Sequence, residues 1–265
     1  MWGRAVIKYA KAAVIACTLF APMPTAWAVD CTVASEQGGM AFPVERLDRE
    51  ARCLIAAVVA HSNTTGVIGP MHTPLDAGFH GYLLDHPVIM AMLLQRLGME
   101  APQFSPAGPN QFLVDDGDGA QGMLTIIHRN DTHRIYYIDG HHQSHLFPTI
   151  RARTVVFMSL APGGAVADNT GVQTTLVSYT QFEGRVLAGF AQAFGPLVEW
   201  AVKRALARQF ELTSRLGSVI AQDPDRVQRE IASLQALDPA VRQALSAYLQ
   251  AMPKAGASSA AASIP

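Results

Sequence analysis

Apolar positions along the chain change period several times, and each change marks an element. From Pro43, Val44, Leu47, Ala51, Leu54, Ile55, Val58 and Val59 recur at steps of three and four, the spacing of one helical face. Asn63-Thr64-Thr65-Gly66 ends that helix, and the stretch from Val67 to Tyr82, with Gly69-Pro70 and Thr73-Pro74, is expected to be extended or turning. A second helix has Asp85 as its cap, Pro87 in its first turn, Val88 to Leu94 as an apolar body and Gly98 as its stop. A helix so apolar all round has to be covered on most sides or face a cavity.

The period then becomes two. Gln111–Asp115, Gly122–Arg129, Thr132–Asp139, Arg151–Leu160 and Val172–Gln181 are expected strands. Asp116-Gly117-Asp118-Gly119, Asn130-Asp131, Asp139-Gly140 and Pro162-Gly163-Gly164 supply the turns, and such short connections make neighbouring strands antiparallel. From Glu183 to about Ala221 the helical spacing returns, through Leu187, Phe190, Phe194, Leu197 and on to Val219 and Ile220. Gly195-Pro196 predicts a kink or break in it. Arg226–Leu237 and Pro239–Met252 read as two short helices, and the Ala/Ser-rich end as a disordered tail.

Residues 1–28 have the three-part layout of a secretory signal peptide. Arg4, Lys8 and Lys11 form a basic head, Ala12 to Ala21 an apolar middle too short to span a bilayer, and Ala26-Trp27-Ala28 the exit, with cleavage expected after Ala28. A periplasmic or secreted protein follows. Removing this segment takes away three basic and no acidic side chains, which leaves 17 basic against 21 acidic and argues against nucleic acid as a partner. Of the three cysteines only Cys31 and Cys53 remain, and in an oxidising compartment they are expected to pair.

This order of elements resembles the helix-grip fold of the START-like (SRPBCC) superfamily. The resemblance is carried by Tyr82-Leu83-Leu84-Asp85-His86-Pro87 leading into the apolar helix, by Thr154–Leu160 as a late core strand, and by Thr174 to Tyr179 running into the long helix. It implies an α+β fold in which a curved antiparallel sheet wraps a long C-terminal helix, with extra N- and C-terminal helices. The boundaries would be a signal peptide at 1–28, an N-terminal helical extension at 29–62, the helix-grip domain at 63–222, a C-terminal helical pair at 223–253 and a tail at 254–265. Members of the superfamily bind lipids, polyketides and similar molecules, so the implied function is to hold a lipid or other hydrophobic small molecule for transport or sequestration. Met90, Leu94, Met123, Tyr136, Arg151, Phe157, Tyr179, Phe190 and Phe194 would line the cavity, with Arg151 able to meet an acidic head group. Transient contact with a membrane or a membrane transporter would load it.

Other chemistry is thinly signalled. His141, His142 and His145 could bind a metal, but no carboxylate shows ligand spacing around them, and neither a metal nor a cofactor is expected. Asp115 to Gly119 fails the calcium-loop template, and no nucleophile elbow, P-loop or dinucleotide fingerprint occurs. The alternatives to a carrier are an enzyme of the cyclase or hydrolase type on the same scaffold, using His128, His141 or Tyr179 as acid or base, and a protein-interaction module.

Overall fold

The computed structural model describes residues 31–143, 149–163, 171–183, 204, 207–208, 211–234 and 237–251. A short hairpin, β1 (Glu36–Gln37) and β2 (Met40–Ala41), leads through a 3-10 turn at Val44–Arg46 into α1 (Arg49–Ala60), where Asp48 caps the helix by accepting from the Ala51 N–H. The main sheet comprises β3 (Thr64–Thr73), β4 (Gln103–Gly108), β5 (Gln111–Asp115), β6 (Ala120–Arg129), β7 (His133–His142), β8 (Ile150–Pro162) and β9 (Val172–Glu183). Its seven strands lie in the order β3-β9-β8-β7-β6-β5-β4, with every neighbour antiparallel. Between β3 and β4 the chain forms α2 (Ala77–Asp85) and α3 (Pro87–Arg96). Helical residues 211–222 (α4), α5 (Pro224–Ser233) and α6 (Pro239–Ala251) follow the sheet.

Three elements form where the sequence gives no plain strand or helix signal, each for a local reason. Two prolines between Val67 and Tyr82 do not prevent β3, because it is an edge strand and its register shifts between Ile68 and Met71, where the ladder can spare a donor. The opposite edge, β4, carries Pro106 on the same terms. The third, α2, forms despite Gly78 and Gly81, because Asp76 accepts from the Gly78 and Phe79 N–H groups while Phe79, His80 and Leu83 are buried.

Both faces of the sheet are apolar, and different neighbours cover them. On one face Ile135, Val155, Phe157 and Val177 pack with Phe42, Val44, Leu47, Ile55 and Val58, so the N-terminal hairpin and α1 form its lid. Phe42 and Phe157 meet with ring centres 5.2 Å apart. The other face carries Ile126, Tyr136, Val156, Met158, Leu160, Val172 and Leu176. A third cluster is mostly helical: Phe79, Leu83, Leu93 and Leu94 pack with Leu216, Ile220, Val227, Ile231, Leu245 and Leu249, joined by Leu75, Leu97, Leu234 and Leu237 from the connections.

That helical cluster corrects the helix-grip expectation. The described C-terminal helices are three, not one long helix held by the sheet, and they bury their apolar faces on α2 and α3. Asp223 accepts from the Arg226 N–H and Pro224 sits in the first turn of α5, so a new helix starts there and residues 211–233 cannot run as one. The expected long helix from Glu183 falls mostly on residues outside those described, and Phe190, Phe194, the expected leader at 1–28 and the expected tail at 254–265 also lie outside them. What stands is an α+β chain built on an antiparallel sheet.

Cys31 and Cys53 form a disulfide that ties the start of the described chain to α1. The bond is compatible with an extracellular location. Among the described residues no helix is long and apolar enough to cross a membrane. Closing a loop with a separation of 22 residues is worth about 3 kcal/mol on the chain-entropy model. Urea unfolding of Cys53→Ser should therefore give a stability lower by about that amount, with an unchanged fold by circular dichroism.

Candidate functional site

Strand alternation sorts the expected ligand residues between two sides of the sheet. Tyr136 is on the side away from α1. Phe157 and Tyr179 are on the α1 side, where their rings meet edge to face with centres 6.0 Å apart. Met123 shares that side, opposite Leu113, which is 51% exposed. Arg151 is exposed at the start of β8 and, by strand parity with Val155 and Phe157, also faces away from Tyr136, so a head group beside Tyr136 would not meet it. Met90 and Leu94 belong to the helical cluster. No single space therefore gathers the described members of that set.

The enzyme candidates are likewise apart. His128 pairs with Ile135 and His141 lies six residues further along β7, about 20 Å at the strand rise. Asn130 Nδ2 is 3.3 Å from His128 Nε2, and Tyr179 is held in the aromatic contact with Phe157. Burial lowers the His128 pKa, with His133 adding to the effect, and burial raises that of Tyr179. Among the described residues no group of histidines, cysteines and carboxylates could hold a metal.

What the structure does align on the side away from α1 is an apolar strip, low in the middle and raised at its ends, here called the trough. Register partners run Phe104–Val114–Gly122–Gly140–Ala152–Phe182 from β4 to β9, and every member is half-buried. The middle of this row is two glycines and an alanine, with a phenylalanine at each end. A Cβ on Gly122 would lie 2.7 Å from the Asp139 carbonyl oxygen and 2.8 Å from the Gly140 Cα. The two strands are thus pinched together over a floor of bare backbone, a role that glycine alone fills in a strand interior. The adjacent row is Phe112–Leu124–Ile138–Thr154–Thr180–Thr64. Of these only Thr180 is fully buried. Leu84 is the helical side chain packed on this face among the described residues.

A buried polar corner lies on the same side of the sheet, four residues along β7 from Ile138. Arg134 on β7 donates from Nε and Nη2 to the two carboxylate oxygens of Asp85, at 3.0 and 3.2 Å, and from Nη1 to the Asn130 carbonyl at 2.5 Å. Gly81 makes room for it, since a Cβ there would lie 2.7 Å from Arg134 Nη2. His80, only 1% exposed, has Nε2 3.3 Å from the Thr174 hydroxyl and an Nδ1 with no hydrogen-bond partner. Burial, with the Arg134 charge beside it, lowers the His80 pKa from 6.5 to about 4. Burial also pushes the Tyr136 phenol well up, against a smaller opposite pull from Arg134. The sequence pointed to Tyr136 but not to this corner. The available signal was a histidine and a glycine side by side in a segment flanked by a good N-cap, Asp76, and an acidic C-terminus, Asp85.

His80 yields a pH dependence with a definite sign. The folded chain keeps the imidazole neutral, whereas the unfolded chain takes up a proton near pH 6.5. Stability contributed by the neutral ring is therefore complete above about 6.5 and lost as pH falls toward about 4, on the order of 3 kcal/mol in all. Urea midpoints measured across that window for the wild type and His80→Gln should converge as the pH drops. A constant difference would mean that His80 is not held neutral.

No protein-family model matches the chain, and no curated protein does. Among solved structures, the chain is similar to a conserved protein from Geobacillus kaustophilus, 14% identical, with 60% of this chain and 95% of that chain covered at a TM-score of 0.39. A likeness of that size carries no argument about fold or activity.

Proposed function

We propose that this is an exported binding protein that holds a hydrophobic small molecule or lipid on the sheet face away from α1, keeping it out of water for transport or sequestration. The trough carries the reading: two adjacent rows of side chains, half-buried except for Thr180, with a floor at Gly122, Gly140 and Ala152. Enclosure by one long helix is no part of the proposal. A site made of hydrogen-bonded strands exists before the ligand arrives, which limits the ordering cost of binding. Burying roughly 400 Å² of ligand surface contributes about 10 kcal/mol gross, against an association cost of about 4–15 kcal/mol. The surplus is then at most about 6 kcal/mol, a dissociation constant of some tens of micromolar, and only a preformed trough keeps that much of it. Export rests on the leader-like residues 1–28, and the disulfide agrees with it. Loading would occur by transient contact with a membrane or a membrane transporter.

Displacement of the neutral fluorescent dye N-phenyl-1-naphthylamine tests the reading. Ala152→Trp fills the trough floor and should weaken dye binding by more than about tenfold, the loss of a well-buried apolar contact. Leu113→Ala, on the other face of the sheet, should leave it unchanged. Equal effects of the two substitutions, or no saturable binding by the wild type, would contradict the proposal.

A further inference from the structure

The second row of the trough changes chemistry partway across. Phe112, Leu124 and Ile138 are apolar, while Thr154, Thr180 and Thr64 continue the same line with hydroxyls. Thr154 and Thr180 hydroxyl oxygens are 3.0 Å apart, and either can be the donor. That bond uses one of their two protons, and the pair keeps one O–H and several lone pairs for another partner. Thr180 is only 2% exposed, so a polar group that reaches the pair does so away from bulk water. None of the residues in the two rows is charged. Among the described residues the neighbouring cations face or pair elsewhere: strand parity puts Arg151 and Arg153 on the α1 side, Arg153 pairs with Glu183 at 2.5 Å and Asp139 at 3.6 Å, and Arg134 is held by Asp85.

We infer that the trough selects an uncharged amphiphile, whose hydroxyl or carbonyl group bonds the Thr154–Thr180 pair while its apolar body lies over Phe112, Leu124, Ile138 and the glycine floor. This rests on the binding face proposed above and names the class of molecule it takes. A carboxylate or phosphate brought to the same place would lose its hydration without gaining a cation, a larger penalty than one hydroxyl contact can offset. The head-group role first expected of Arg151 therefore passes to two threonines, and the charge of the preferred ligand changes with it.

The test uses the intact protein and two competitors of the naphthylamine dye: a saturated fatty alcohol, and the fatty acid of equal chain length at a pH where it is ionised. Wild type should bind the alcohol at least about tenfold more tightly than the acid. Thr154→Val/Thr180→Val should lose about fivefold in affinity for the alcohol relative to its affinity for the dye, the worth of one neutral hydrogen bond. Thr154→Ser, which retains the hydroxyl, should behave as wild type. An acid that competes as well as the alcohol, or a double valine variant with undiminished alcohol affinity, overturns the inference and leaves the binding face intact. Failure of the dye and both competitors to bind wild type overturns the binding face itself.

Discussion

The buried pair of Arg134 and Asp85 is the constraint on which the arrangement of helices over the sheet depends. Arg134 is 4% exposed and Asp85 19%, so the guanidinium is largely removed from water and has to be matched group for group. Two carboxylate oxygens and the Asn130 carbonyl provide the match, and Gly81 lets the helix come close enough for it. The pair fixes both the distance and the rotation of α2 relative to β7. With α2 so placed, Phe79 and Leu83 turn toward the C-terminal helices while Leu84 reaches the sheet.

Because α2 is pinned at one end, the two sides of the sheet acquire different duties. Over β7, β8 and β9 the α1 side is covered by the N-terminal hairpin and by α1, with the Cys31–Cys53 bond behind them. Its large side chains Phe157 and Ile135 are fully buried among those of the N-terminal segment and α1. On the other side the apolar surface extends beyond Leu84 toward β4 and β5, where its side chains remain half-buried. A one-residue step along β8, from Phe157 to Val156, is enough to move a side chain from one duty to the other.

Much of the sheet was legible in the sequence. Period-two alternation and Gly/Asp turns gave five of the strands with ends close to those observed, because β5 to β9 are joined by consecutive connections and owe their form to local pattern. The two edge strands were not legible: their prolines argue against a strand, and only their place at the sheet margin makes them harmless. Nor was α2, whose glycines argue against a helix and whose burial depends on Arg134, about fifty residues away in sequence. Of the binding face, Tyr136 could be suspected from composition, but which face it shared with Phe157 or Tyr179 could not. Apolar residues on both sides of β8 hide the parity that a half-polar strand would reveal. In the sequence Gly122 reads as the start of a strand and Asp139-Gly140 as a turn, whereas β7 runs on through Gly140, which lies opposite Gly122.

The division of the sheet into a sealed side and a binding side can be read from methyl groups directly. In a methyl-resolved NMR titration with a fatty alcohol, Leu124, Ile126 and Ile138 are expected to shift in a saturable manner, while Ile55, Ile135 and Val155 stay in place. Shifts concentrated on Ile55, Ile135 and Val155, or spread evenly over both sides, would contradict the account.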